Sequence, residues 1–96
     1  MTLVLKGVAD FIDKYDRMKV TYFEEDTKKI LLALNQTDRP LSLTHNGFFM
    51  SCKKLTCPKS LLGQHLEITC SLYEWNQPGR RGTAIIANNV RVINPE

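Results

Sequence analysis

Residues 63–93, GQHLEITCSLYEWNQPGRRGTAIIANNVRVI, contain two long alternating runs joined by a polar, basic turn. This is the pattern of two paired β-strands, and everything else in the chain must be arranged around them. In the first run Leu66, Ile68, Cys70 and Leu72 share one face, while His65, Glu67, Thr69, Ser71, Tyr73 and Trp75 share the other. An aliphatic face is what a core requires. The opposite face carries a tyrosine and a tryptophan just before Arg80 and Arg81, an arrangement suited to stacking flat groups beside phosphates.

The upstream chain also reads as β-structure. TLVLKGVADFI, residues 2–12, has the apolar density of a strand, and its interior Gly7 allows a sharp bend or bulge by which one strand can serve two sheets. The polar link DKYDR leads into MKVTYFE, a second strand that completes a hairpin with the first. EEDTKKILLALNQ is ambiguous: Asp26 caps a short helix with Ile30, Leu31 and Leu34 on one face, or EDTKK is a turn leading into a strand. The strand is favoured. Asn46 and Gly47, between two apolar runs, predict a further hairpin because both residues tolerate positive φ. Pro58 opens PKSLLG, long enough for a single helical turn. Phe48 and Phe49 point to opposite faces, Phe49 being the exposed one, whereas Phe11, Tyr22 and the run from Ile30 to Leu34 are assigned to the core.

With 96 residues, 43% hydrophobic and 24% charged, the chain is expected to form one globular domain over residues 1–96. The net charge of +3 permits an anionic partner without demanding one. Acidic residues gather early, and the basic ones dominate the second half. No apolar run approaches the roughly 20 residues that cross a bilayer, and the N-terminus lacks the form of a signal peptide. Three cysteines, an odd number, fit a reducing compartment, so a cytoplasmic location is expected, or a nuclear one in a eukaryote. The sequon at Asn35, Gln36 and Thr37 would then be idle.

GQHLEITCSLYEW and GTAIIANNVRVI, with the opening LVLKGVADF, resemble strands of the oligonucleotide/oligosaccharide-binding (OB) fold as it occurs in bacterial single-stranded DNA-binding proteins and the related primosomal replication protein N. The likeness is to the last two strands and the first. It implies an all-β, five-stranded Greek-key barrel, here with an extra hairpin and at most one or two short helical turns. It implies single-stranded nucleic-acid binding, DNA before RNA, with Trp75 where those proteins often carry a stacking tryptophan. Residues 36–57 lie outside the likeness. No acidic tail follows the last strand, so recruitment of partners by such a tail is not expected.

The candidate interface is therefore Trp75, Tyr73 and Phe49 for stacking, with Arg80, Arg81, Lys53 and Lys54 for phosphates. The competing reading packs Tyr73 and Trp75 under a loop or into a dimer interface, and makes QPGRRG a solvated turn. Cys52, Cys57 and Cys70 with His45 or His65 lack the spacing of a zinc site, so no metal or other cofactor is expected. No phosphate loop or nucleophile elbow precedes a helix, and Glu24, Glu25 and Asp26 are explained by a polar turn, so the chain is not read as an enzyme. The alternative function is a protein-interaction module that uses the same face or a sheet edge to assemble as a homodimer or with a replication protein.

Overall fold

A computed structural model of the chain describes residues 2–22, 25–35 and 40–93. Six strands form one sheet: β1 (Thr2–Ile12), β2 (Arg17–Thr21), β3 (Leu43–Thr44), β4 (Gly47–Ser51), β5 (His65–Gln77) and β6 (Arg80–Val92). Their order is β2-β1-β5-β6-β4-β3, and a further β2–β4 pairing brings the sheet back upon itself as a ring. One helix, α1 (Glu25–Leu34), and a 3-10 turn at Pro58–Leu61 complete the described residues.

β5 and β6 are the paired strands that alternation predicts, held from Leu66↔Val92 to Gln77↔Arg80. Pro78 and Gly79 make the turn between them, and Gly79 takes the positive φ of 77° that proline–glycine turns need at their second position. β1 does not serve two sheets but lies within one, between two neighbours: residues Thr2 to Val8 pair with β5, and Val8 to Ile12 pair with β2. At the changeover a Cβ on Gly7 would stand 2.3 Å from Val20 Cγ1. Only glycine permits that approach. Gly47 is still tighter, since a Cβ there would meet the Val20 carbonyl oxygen at 1.9 Å.

The Asn46–Gly47 hairpin forms, but for a different reason from the one expected. Thr44 pairs with Gly47, so the two loop residues are His45 and Asn46, and neither Asn46 nor Gly47 has positive φ. Gly47 is needed for strand contact rather than for turn geometry.

The favoured strand over residues 26–35 is wrong: this segment is helical, and α1 with its 10 residues exceeds the short turns anticipated. Thr27, Leu31 and Leu34 recur at helical spacing and turn inward, with Thr27 and Leu31 buried. Asp26 lies in the first turn beside Glu25, where negative charge meets the positive end of the helix, instead of capping it. The Thr27 hydroxyl accepts a hydrogen bond from the Lys6 N–H at 3.1 Å, which seats α1 on β1. Ile30 and Leu32, assigned to the core with Leu31, are exposed. Phe23, Glu24, Gln36, Thr37 and the last three residues, on which parts of the strand, capping, sequon and tail readings fall, lie outside the described residues.

The core fills the inside of the ring. Leu5, Met18, Val20, Phe48, Leu66 and Ile68 are fully buried, and Leu31 of α1 joins them. Phe11, also expected there, is 49% exposed, because the bulge in β1 between Ala9 and Phe11 keeps Ala9 inward and turns Phe11 out. Tyr22 is half-buried against Phe48. Cys52 and Cys70 are buried, while Cys57 is exposed at the start of the 3-10 turn. Burial pushes the Cys70 thiol up to about 11, and burial with the nearby Asp16 charge raises that of Cys52.

Two outcomes follow from this packing. Gly47→Ala is expected to lower the unfolding free energy by about 1–3 kcal/mol or more, the cost of overpacking a site that cannot yield, and so to lower the urea midpoint at unchanged m-value. A midpoint equal to that of the parent would show that β2 and β4 are not in contact. In the native protein at neutral pH, a thiol reagent should modify Cys57 within minutes and reach Cys52 and Cys70 only on unfolding. Equal rates at all three would contradict the burial pattern.

Candidate functional site

The β1–β2 turn is built by one carboxylate. Asp13 Oδ1 accepts hydrogen bonds from the N–H groups of Tyr15 at 2.9 Å and Arg17 at 3.0 Å, and Asp13 Oδ2 accepts one from Arg17 Nε at 2.8 Å. Desolvation opposes ionisation of Asp13, but these N–H groups and the guanidinium outweigh it and hold the carboxyl below its ordinary value. The turn is also tied to the end of β4: the Cys52 N–H donates to the Asp16 carbonyl at 3.0 Å, and the Cys52 thiol donates to the same oxygen at 3.2 Å. With its backbone so held, the turn presents Tyr15 at 59% exposure.

Arg17 links this turn to the sheet. Its guanidinium lies 5.3 Å from the Tyr15 ring centre and 5.5 Å from that of Phe49, so one planar cation touches two aromatic rings. Phe49 meets Phe11 edge to face at 6.0 Å, and Lys14 Nζ lies 5.2 Å from Tyr15. The cluster Phe11, Tyr15, Arg17 and Phe49 occupies the outer face of β1, β2 and β4. Only Phe49 belonged to the set predicted from sequence. Tyr15, Lys14 and Arg17 were legible in DKYDR as an aromatic residue among cations with an aspartate at the turn start, but the segment was read as a polar link.

A second aromatic–cation unit stands at the β5–β6 hairpin. Trp75 is opposite Gly82, and a Cβ on Gly82 would meet Trp75 Cζ2 at 2.5 Å, so the indole lies directly across the glycine backbone. Arg80 lies 5.9 Å from the indole centre. Trp75, Arg80 and Arg81 line a recess of about 760 Å³ whose far wall is Pro40, Leu41 and Ser42. That wall is fixed by the Thr83 N–H donating to the Pro40 carbonyl at 3.0 Å and by Asn35 Oδ1 accepting from the Leu41 N–H at 2.7 Å. Helix α1 thus positions one side of the recess through Asn35, which follows its last residue and donates its N–H to the Leu31 carbonyl at 3.0 Å.

Ser42 is shared with a smaller recess of about 70 Å³, lined among others by Arg17, Phe49 and Ser51. The two aromatic–cation units are thereby connected. Tyr73, opposite Ala84, is 59% exposed on the same strand as Trp75 but lines neither recess. Lys53 and Lys54, candidates for phosphate contact beside Phe49, are not on its strand. They follow the end of β4 in an irregular loop, and Lys54 lines a separate recess with Leu61, Asn88 and Asn89.

The Asp13 clamp is complete above the ordinary aspartate value of 3.8 and is lost as pH falls through the lowered one. The Arg17 Nε–H resonance should therefore titrate with a midpoint below 3.8, and Asp13→Asn should abolish the titration. A midpoint at or above that value would mean the turn is not held as described.

No protein-family model matches the chain, and neither a curated protein nor a solved structure does.

Proposed function

We propose that the chain binds single-stranded nucleic acid with little sequence preference, most readily DNA, and that the closed sheet is an OB barrel. The observation that carries this reading is the pair of aromatic–guanidinium units, Arg80 over Trp75 and Arg17 between Tyr15 and Phe49, joined by adjoining recesses on the outside of the sheet. Rings accept bases of any identity, and guanidinium groups accept phosphates, so such a face favours a strand over a specific sequence. The barrel reading is supported by the five longer strands of the ring and by the position of the units. They lie on β2 and β4, at the β1–β2 turn and at the β5–β6 turn, the counterparts of the strands and loops with which OB barrels hold oligonucleotides.

Magnitudes favour binding over self-coverage. An exposed guanidinium–ring contact contributes about 0.5–1 kcal/mol, whereas a stacked base contributes about 1–3 kcal/mol. A stacked base can therefore displace the weaker guanidinium contact from a ring.

The test is a titration of Trp75 fluorescence with single-stranded DNA, single-stranded RNA and duplex. Emission should be quenched by single strands, and Trp75→Ala should weaken binding by about 1–3 kcal/mol with the fold intact. Arg17→Ala and Arg80→Ala should each reduce the slope of log K against log salt by about 0.7. Absence of single-strand binding at ~20 mM salt, where every phosphate contact is strengthened, would refute the proposal. Self-association sensitive to Tyr73 and Trp75 but not to the arginines would favour an assembly module.

A further inference from the structure

Strand β6 has unequal flanks. One is paired with β5 along almost its whole length. Among the described residues the other is bridged only at Leu41↔Thr83 and Ser51↔Ile86. Recesses open on this flank in series: one of about 760 Å³ at Arg80 and Arg81, one of about 70 Å³ at Thr83 to Ile85, and one of about 270 Å³ at Asn88 to Val90.

The third recess has its own chemistry. The register of β5 against β6 slips between Thr69 and Cys70, leaving Asn88 as an extra residue in β6. Asn88 Nδ2 turns to donate to Ser71 Oγ at 2.6 Å, and Asn89 Oδ1 accepts from the Val90 N–H at 3.0 Å. With its oxygen engaged by that N–H, Asn89 keeps its amide nitrogen as a donor, in a recess that Lys54 also lines. A cation and an amide donor over the apolar side chains of Leu55 and Leu61 suit a phosphate and its sugar.

We infer that a single strand lies lengthwise along this flank of β6, from Trp75 and Arg80, past Arg17 and Phe49, to a terminal phosphate contact at Lys54. This course rests on the nucleic-acid reading above and returns Lys54 to the interface at its far end. From Arg80 to Val90 the track measures ~33 Å at ~3.3 Å per strand residue. That length holds about 10 nucleotides at the stacked spacing of ~3.4 Å, and about half as many in a fully extended strand. Both counts fall inside the range of about 4–16 nucleotides occupied by single OB folds.

The experiment compares oligothymidylates of about 3, 6, 10 and 16 nucleotides, lengths that bracket that range, on the parent chain and on Lys54→Ala, Arg80→Ala and Lys59→Ala. Lys59 is an exposed lysine of the 3-10 turn that does not line the recess, and it controls for net charge. Affinity of the parent should climb until the oligonucleotide spans the track. Arg80→Ala should weaken every length. Lys54→Ala should leave the shortest oligonucleotide unchanged and lower the salt slope of the longest by about 0.7, while Lys59→Ala should match the parent throughout. If the parent binds but its affinity is already maximal at the shortest length, or Lys54→Ala equals Lys59→Ala at the longest, the lengthwise course is wrong and the nucleic-acid reading stands. If the parent binds no oligonucleotide of any length, both fall together.

Discussion

Ring closure in this protein depends on two glycines that stand against one buried valine. Val20 of β2 pairs with Ala9 on one side and Phe48 on the other, and it is completely buried. Each adjoining strand carries a glycine against it, Gly7 in β1 and Gly47 in β4, and a Cβ on either would overlap Val20 atoms. Interiors packed as densely as crystals cannot absorb such overlap by small adjustments. The two absent side chains thus let three strands converge and the sheet curl back upon itself.

The same convergence creates a polar lock on the outside. Lys19 is only 8% exposed, and its ammonium donates to Asp10 at 3.2 Å, Thr21 at 3.1 Å and Asn46 at 3.4 Å, with the Thr21 hydroxyl donating in turn to Asp10. It reaches Asn46 by passing over Gly47, where a Cβ would stand 3.0 Å from Nζ. An ammonium this well covered is tolerable only while its partners remain, because a covered charge left without them loses its compensation for the water it gave up. The lock therefore ties β1, β2 and the β3–β4 turn together next to the aromatic cluster.

What the face offers is aromatic surface covered by cations rather than by hydrophobic neighbours. Tyr15 is exposed beneath its cations, whereas Trp75 is half-buried between Arg80 and the Gly82 backbone, so neither ring presents a large apolar patch. The larger recess, beside Trp75, is open and mainly polar, while the small one beside Phe49 is mainly apolar.

The sequence by itself determined the strands and their inner faces. Leu66, Ile68 and Cys70 alternate with polar residues, and water alone sorts such a strand, so the β5–β6 pair and the outward side of Tyr73 and Trp75 were legible at once. Hairpins at DKYDR and near Asn46 were legible for similar local reasons. Three matters were decided only by tertiary structure. Residues 25–34 became a helix because Thr27 finds Lys6 of β1 and Leu31 finds the core, contacts that no local propensity encodes. Phe11 left the core because a bulge reversed its parity, and Arg17 joined the site because closure of β2 on β4 brought Phe49 beneath its guanidinium. Alternation says which side of a strand a residue occupies, but the neighbours across that side come from distant segments. That is why Trp75 could be assigned to a face from the chain alone, while its company could be read only from the closed sheet.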